Sequence, residues 1–326
     1  MMQKAIAVIH RFNIFKSIGK RKNSYSSYLG KQTKDLGFMT LPGLLLVVVF
    51  SYLPMFGLVL AFKNFRYDKG ILGSAWVGLK NFKFFFSSLD AWRVTRNAIG
   101  TNLIFIVSTL VVSVLLAFLL YEITHRMLLK VYQTAMFFPY FLSMAVVAYV
   151  GYSFFNVDLG LLNRILASFG IKPVMWYAEP ELWVFILPII NIWKNIGYYV
   201  VIYYAGLMGI DSTYYESAAI DGANKIQATL KVSLPLLSPI IIIMVLLQIG
   251  KVFYSDFGLF YLVTKDTGIL YSTTDVIDTY VFRALRVTGD IGVASAVGFY
   301  QSVVGFVLVF LSNWLVRKYD SDSALF

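Results

Sequence analysis

Six stretches of the chain are apolar for long enough to cross a bilayer as helices, near 37–62, 99–121, 131–155, 182–207, 236–264 and 291–316. A spanning helix needs about 20 such residues. The runs are continuous rather than alternating, which selects helices over barrel strands. Pro42, Pro54, Pro139, Pro188 and Pro239 fall inside them. Membrane helices tolerate proline where neighbouring groups satisfy the freed carbonyls. The pattern predicts an all-α, polytopic fold with six transmembrane helices, and it sets apart one ordered polar segment, residues 211–235, between the fourth and fifth runs.

Composition supports a membrane protein. Of 326 residues, 59% are hydrophobic and 14% charged, and the mean hydropathy is +0.72. A soluble domain has nowhere to bury that much apolar surface. The absence of Cys excludes disulfides and thiolate-metal sites, and His10 and His125 are far apart in sequence. The first long apolar run starts near Leu36 without a small-residue cleavage site after it, so no cleaved leader is expected. The net charge of +11 reads as basic loops against anionic lipid rather than as nucleic-acid binding.

Lys4, Arg11, Lys16, Lys20, Arg21, Lys22, Lys31 and Lys34 precede the first span, against the single acid Asp35. This cluster places the N-terminus in the cytoplasm. An even number of spans returns the C-terminus, with Arg317 and Lys318, to the same side. Loop 63–98 is also basic, so the orientation rests on the N-terminal cluster. Residues 4–18 alternate apolar and basic positions in the manner of an interfacial helix or a basic tail. The expected organisation is a basic segment 1–36, a six-helix transmembrane bundle 37–316 containing the loop 211–235, and a cytoplasmic tail 317–326.

Within the polar segment, Thr213 precedes Glu216 at capping-box spacing, which predicts a helix from near Tyr214 with the carboxylate close to its positive end. Asp221-Gly222 bends it. Residues 223–232 resume helical spacing, with Ala223, Ile226, Leu230 and Val232 as contacts, and Leu234-Pro235 stops the second helix. A helix–bend–helix bearing a carboxylate suits a docking knob. An amphipathic loop covering the bundle end would share the pattern.

Polar residues inside spans are functional candidates. Span four carries Asn191, Trp193, Lys194, Asn195 and Tyr198, with Asn191, Lys194 and Tyr198 on one face. Span five carries Gln248, Lys251, Tyr254, Ser255 and Asp256, and span six Tyr300, Gln301 and Ser302. On an ideal helix Lys251 and Asp256 point too far apart to pair. Amides with aromatic rings suit sugar hydroxyls and C–H faces. The two lysines suit either an anionic sugar or pairing with partner acids or helix carbonyls. Gly292, Ala294, Ala296 and Gly298 permit close helix approach, within the chain or with another subunit.

No phosphate-binding G-x-x-x-x-G-K-[ST] motif occurs, nor a zinc-protease or serine-elbow motif. The chain is not read as an enzyme and has no catalytic or metal-ligating set. A secondary transporter or channel would share the topology but leaves the ordered loop unexplained.

The loop resembles the EAA loop of ATP-binding-cassette importer permeases: Glu216, Ser217, Ala218, Ala219, Ile220, Asp221, Gly222, nine residues, then Val232, Ser233, Leu234, Pro235. Ser217 and Val232 depart mildly from the pattern. Stretches 51–65, 78–86, 133–143 and 275–283 are similar to the MetI-like carbohydrate branch, the lipoprotein-type and multiple-sugar permeases. The resemblance implies a six-helix fold with a shared five-helix core. Its implied partners are a second permease, a cytoplasmic ATPase dimer carrying ATP and Mg, and an extracellular or periplasmic sugar-binding protein. It also implies that Glu216, Ala218, Ala219, Asp221, Gly222, Leu234 and Pro235 couple this chain to the ATPase, in the bacterial cytoplasmic membrane.

Overall fold

The computed structural model describes residues 36–319; the expected interfacial helix 4–18 and the tail from 320 lie outside the described residues. The chain divides into two units, Met1–Val59 and Leu60–Phe326. Helix α1, Leu36–Phe62, is the described part of the first unit continued by a few residues. Its apolar run passes through a π-helical turn at Val48–Tyr52, and a tighter 3-10 stretch follows from Leu53. Pro54 lies at the start of that stretch. Such local changes of winding are what a proline inside a helix commonly provokes.

In the second unit a short hairpin pairs Lys63–Asn64 (β1) with Ala75–Trp76 (β2), followed by α2 (Lys80–Phe86) and α3 (Leu89–Tyr121). Then come α4 (Arg126–Phe137), α5 (Met144–Phe155), α6 (Leu161–Ser168) and α7 (Pro180–Met208). The polar segment forms α8 (Ser212–Ile220) and the start of α9 (Lys225–Ile249). Helices α10 (Ile277–Arg286) and α11 (Ile291–Tyr319) complete the fold. The long helices α3 and α7 pack along each other. One core gathers around Trp183, Phe85, Phe260 and Leu270, and a second around Tyr203, Leu207 and Leu237. Between membrane helices, such contacts stabilise through packing rather than exclusion of water.

Among the described residues five helices are long and apolar enough to span a membrane, and a sixth span is counted if a bent pair is joined. That pair corrects the expectation of one straight helix over 131–155. The chain bends by 101° between residues 141 and 144. Pro139 sits in a 3-10 turn, Phe138–Phe141, and Ser143 then caps the next helix by accepting the Val146 N–H. The freed carbonyls of Tyr140 and Leu142 each accept from the Lys194 ammonium, at 3.1 and 2.7 Å.

The expected fifth span, 236–264, is likewise not one helix. Helix α9 ends at Ile249, the chain turns through Gly250 to Phe257, and a π-helical turn, Gly258–Val263, follows. The ideal-helix angle between Lys251 and Asp256 therefore does not apply. Leu234-Pro235 does not stop a helix either. Residues 225–249 run continuously, with a π-helical turn at Thr229–Ser233. The proline enters at the first positions of the α-helical stretch, where its missing N–H and its ring are tolerated. On α11, Gly292 packs against Asn81 and the Lys63 carbonyl, and Ala294 and Ala296 are buried. These small residues serve packing within the chain, while Gly298 faces open space.

Gly197 marks the tightest approach of α7 to the bend. A Cβ there would lie 2.3 Å from the Met136 carbonyl oxygen and 2.5 Å from the Phe137 Cα. Both are backbone atoms, so no side chain can yield. Gly197→Leu is expected to destabilise the protein by at least the ~1–3 kcal/mol typical of overpacking. The measurement is thermal unfolding in detergent, where even Gly197→Ala should lower Tm. An unchanged Tm for the Ala variant would contradict this close contact.

Candidate functional site

The polar loop is built by three capping devices. Asp211 precedes α8 and accepts the Thr213 N–H at 2.9 Å. That bond and the Thr213 hydroxyl hold the Asp211 carboxyl below its ordinary range. The helix therefore begins at Ser212 under an Asp cap, not near Tyr214 under the expected Thr213–Glu216 box. Glu216 is outside the first turn, is exposed, and accepts only from the Ser212 hydroxyl, at 3.3 Å. At the far end Gly222 takes φ +78°. The Gly222 N–H bonds the Ala219 carbonyl at 3.0 Å and the Ala223 N–H bonds the Ala218 carbonyl at 2.9 Å. This is a Schellman ending, for which glycine is the usual residue.

The next helix opens with a true capping box. Asn224 accepts the Gln227 N–H and Gln227 accepts the Asn224 N–H, both at 2.9 Å. The result is a helix, a sharp bend and a second helix that continues directly into a span. Tyr215 pins α8 to the bundle through Ser233, at 2.9 Å, and lies 6.2 Å from the Tyr121 ring. Lys225 pairs with Glu122 at 2.6 Å. Ile220 and Ile226, 87% and 71% exposed, stand outward beside Glu216, Ala219 and Asp221. Apolar side chains on the outer face of an otherwise polar loop fit a partner surface.

A cavity of about 500 Å³ opens beside α3, α7 and the end of α9. Asn102 and Thr109 reach it from the middle of α3, and Asn191, Asn195 and Tyr198 from the middle of α7. Tyr140 from the bend stacks on Tyr198 at 5.4 Å. Lys251, Tyr254, Ser255 and Asp256 reach it from the unwound segment after α9. Asn195 donates to Asn191 at 2.9 Å, Asn191 to Thr109 at 3.3 Å, and Asn102 to Ser255 at 3.1 Å. The α3 and α7 side of the lining carries amides, hydroxyls and aromatic rings at mid-length of helices long enough to span, and Lys251 and Asp256 add charge from the unwound segment.

The structure thus brings together six of the expected path residues: Asn191, Asn195, Tyr198, Lys251, Tyr254 and Asp256. Three lie elsewhere. Lys194 is buried and engaged by the carbonyls of the bend. Trp193 points out of the bundle, 41% exposed. Gln301 is buried and donates to the Phe253 carbonyl at 2.6 Å and to Asp278 at 3.2 Å. Asp278 in turn accepts the Ser255 N–H at 2.7 Å. Burial pushes the Asp278 carboxyl up, against the opposing effect of the Ser255 and Gln301 donors. Gln301 and Asp278 therefore hold the unwound segment in place. Asn102, Thr109 and Tyr140 were not among the expected residues. Asn102 and Thr109 are seven apart, two helical turns on one face, which is the signal that could have found them.

Residues 109–321 match the family described as the binding-protein-dependent transport system inner membrane component. The chain belongs to this family. It is an all-α, multi-pass transport permease. It is 31% identical to Protein LplB of Bacillus subtilis over 90% of this chain and 91% of LplB. It is 32% identical to the polygalacturonan/rhamnogalacturonan transport system permease protein YteP of the same organism, over 89% and 90%. A chain of a bacterial ABC transporter involved in the import of the acidic polysaccharide alginate superposes with TM-score 0.82 at 29% identity, covering 89% of this permease and 97% of that chain. A chain from the alginate transporter in complex with an alginate pentasaccharide-bound periplasmic protein gives 0.81 at 28% identity, covering 89% and 96%.

Proposed function

We propose that this permease is one half of the translocation path of an ATP-driven importer for oligosaccharides or polysaccharides. In this reading the loop 211–235 faces the cytoplasm and docks in an ATPase subunit of a dimer that holds ATP and Mg. A second permease, of different sequence, completes the path, and an extracellular or periplasmic binding protein delivers the sugar.

The observation that carries the reading is the continuity of α9. The exposed knob bearing Glu216 and Gly222 leads, through the bend at Gly222, directly into α9, whose far end lines the polar cavity. A push on α8 passes to α9 through the Tyr215–Ser233 hydrogen bond and along that helix to Gln248, next to the segment that carries Lys251. Ala218, Ala219 and Asp221 form the surface around Glu216, and Leu234 and Pro235 sit where the knob meets the span. The polysaccharide relatives and the amide-and-aromatic lining support a sugar as cargo.

Affinity purification of this chain from its native membrane tests the reading. An ATPase dimer and a second permease should elute with it, and reconstituted complex should take up oligosaccharide only with ATP and binding protein present. Ion-gradient-driven flux through the chain alone would instead establish a secondary transporter.

A further inference from the structure

One charged donor of the cavity lining has no acceptor among the described residues. Lys251 is the cation of its lining, and no hydrogen bond or ion pair holds its ammonium among the described residues. The one carboxylate of the lining, Asp256, is directed elsewhere. Its Oδ1 accepts the Leu259 N–H at 3.1 Å, capping the following turn, and it forms no ion pair with Lys251. Lys194, the other lysine of the spans, has both its neighbouring carbonyls and stands outside the cavity.

An ammonium that faces the cavity with no counter-charge leaves its positive charge uncompensated beside the membrane interior. A carboxylate compensates it, because it offers two acceptor oxygens and full charge. A sugar hydroxyl compensates the charge poorly. The remaining lining supplies the rest of a sugar site: amides for hydroxyls, and the stacked Tyr140 and Tyr198 as a face for C–H groups. We infer that Lys251 reads the carboxylate of an acidic glycan, so that the permease passes uronate-containing oligosaccharides in preference to neutral ones. This inference rests on the importer reading above. A carboxylate of the second permease is the other possible source of the missing acceptor, and the experiment separates the two.

The assembled transporter, purified with its partner chains and reconstituted with its binding protein, is offered short oligomers of galacturonate, mannuronate and glucuronate. Each is paired with its carboxyl methyl ester, and neutral manno- and xylo-oligosaccharides complete the set. Wild-type protein should take up an acidic oligomer in preference to its ester. Lys251→Met should lower that acid-to-ester ratio by about tenfold or more, the scale of a lost charge-assisted hydrogen bond, and Lys251→Arg should restore much of it. Lys194→Met, in which the bend loses its donor, should lower uptake of acid and ester alike. An unchanged ratio in Lys251→Met, or a wild-type preference for neutral glycans, would overturn the inference and leave the importer intact. Loss of the second permease from purified Lys251→Met would assign Lys251 to the subunit interface and also overturn it. Absence of ATP-dependent uptake for every glycan would sink the importer reading itself.

Discussion

Glu216→Lys should abolish ATP-driven uptake while leaving the permease folded and inserted. In the structure Glu216 is exposed and accepts a single long hydrogen bond from the Ser212 hydroxyl. Removing it therefore costs the isolated chain little. Its neighbours on the outer surface, Ala219, Asp221 and the exposed Ile220, make a small convex patch in which one residue can carry most of the recognition. If a basic group of the ATPase meets Glu216, reversal of charge removes the pair and adds repulsion. Losing a desolvated interfacial pair costs roughly 2–5 kcal/mol, on the order of 100-fold in coupling. The measurements are ATPase copurification, ATP-dependent uptake and thermal unfolding in detergent. Uptake and copurification should fall together while Tm stays within a degree or two. Normal uptake by the variant would remove the coupling role from this loop.

The shape of that loop was legible because its chemistry is local. Gly222 follows Asp221 where a chain must reverse, and a glycine at φ +78° is the physical reason the bend falls there. The cap was misplaced because Asp211, Ser212 and Thr213 can all cap a helix, and sequence alone does not say which one does. The apolar runs located the spans for an equally local reason. What the runs concealed were the two interruptions. Pro139 and Ser143 lie in a stretch as apolar as a straight span, and the bend there depends on Lys194, more than 50 residues away, to satisfy its carbonyls. The unwound segment after Ile249 depends on Gln301 and Asp278, from α11 and α10. Such non-local donors and acceptors have no signature in spacing. Lys194 thus meets carbonyls, one of the two partnerships its sequence allowed, Gln301 meets the Phe253 carbonyl and Asp278, and Lys251 lines the cavity.

Asp275→Asn should strongly destabilise the second unit. The Asp275 side chain is fully buried. One oxygen accepts from Arg93 of α3 at 2.8 Å, and the other from Arg283 of α10 and from the Thr279 hydroxyl. Arg283 also reaches Asp266 at 2.9 Å and lies 4.3 Å over the Tyr271 ring. Burial alone would lower the Arg283 pKa, but the hydrogen bond and charge of Asp275, with Asp266, more than offset it and hold the guanidinium above its ordinary range. With Asn at 275, two guanidiniums face each other across a neutral amide. Breaking a buried pair by removing one partner costs about 3–5 kcal/mol. A drop of about 10 °C in Tm is expected. In a double-mutant cycle with Arg283→Met the losses should be strongly non-additive, because the second change removes the charge left unpaired. Additive losses would show that Asp275 and Arg283 act independently. Uptake should fall with stability, because Asp278, three residues on, anchors the Ser255 N–H of the segment that presents Lys251 and Asp256 to the cavity. The buried ion cluster at one end of α10 and the cavity wall beside it are therefore joined through a single helical turn.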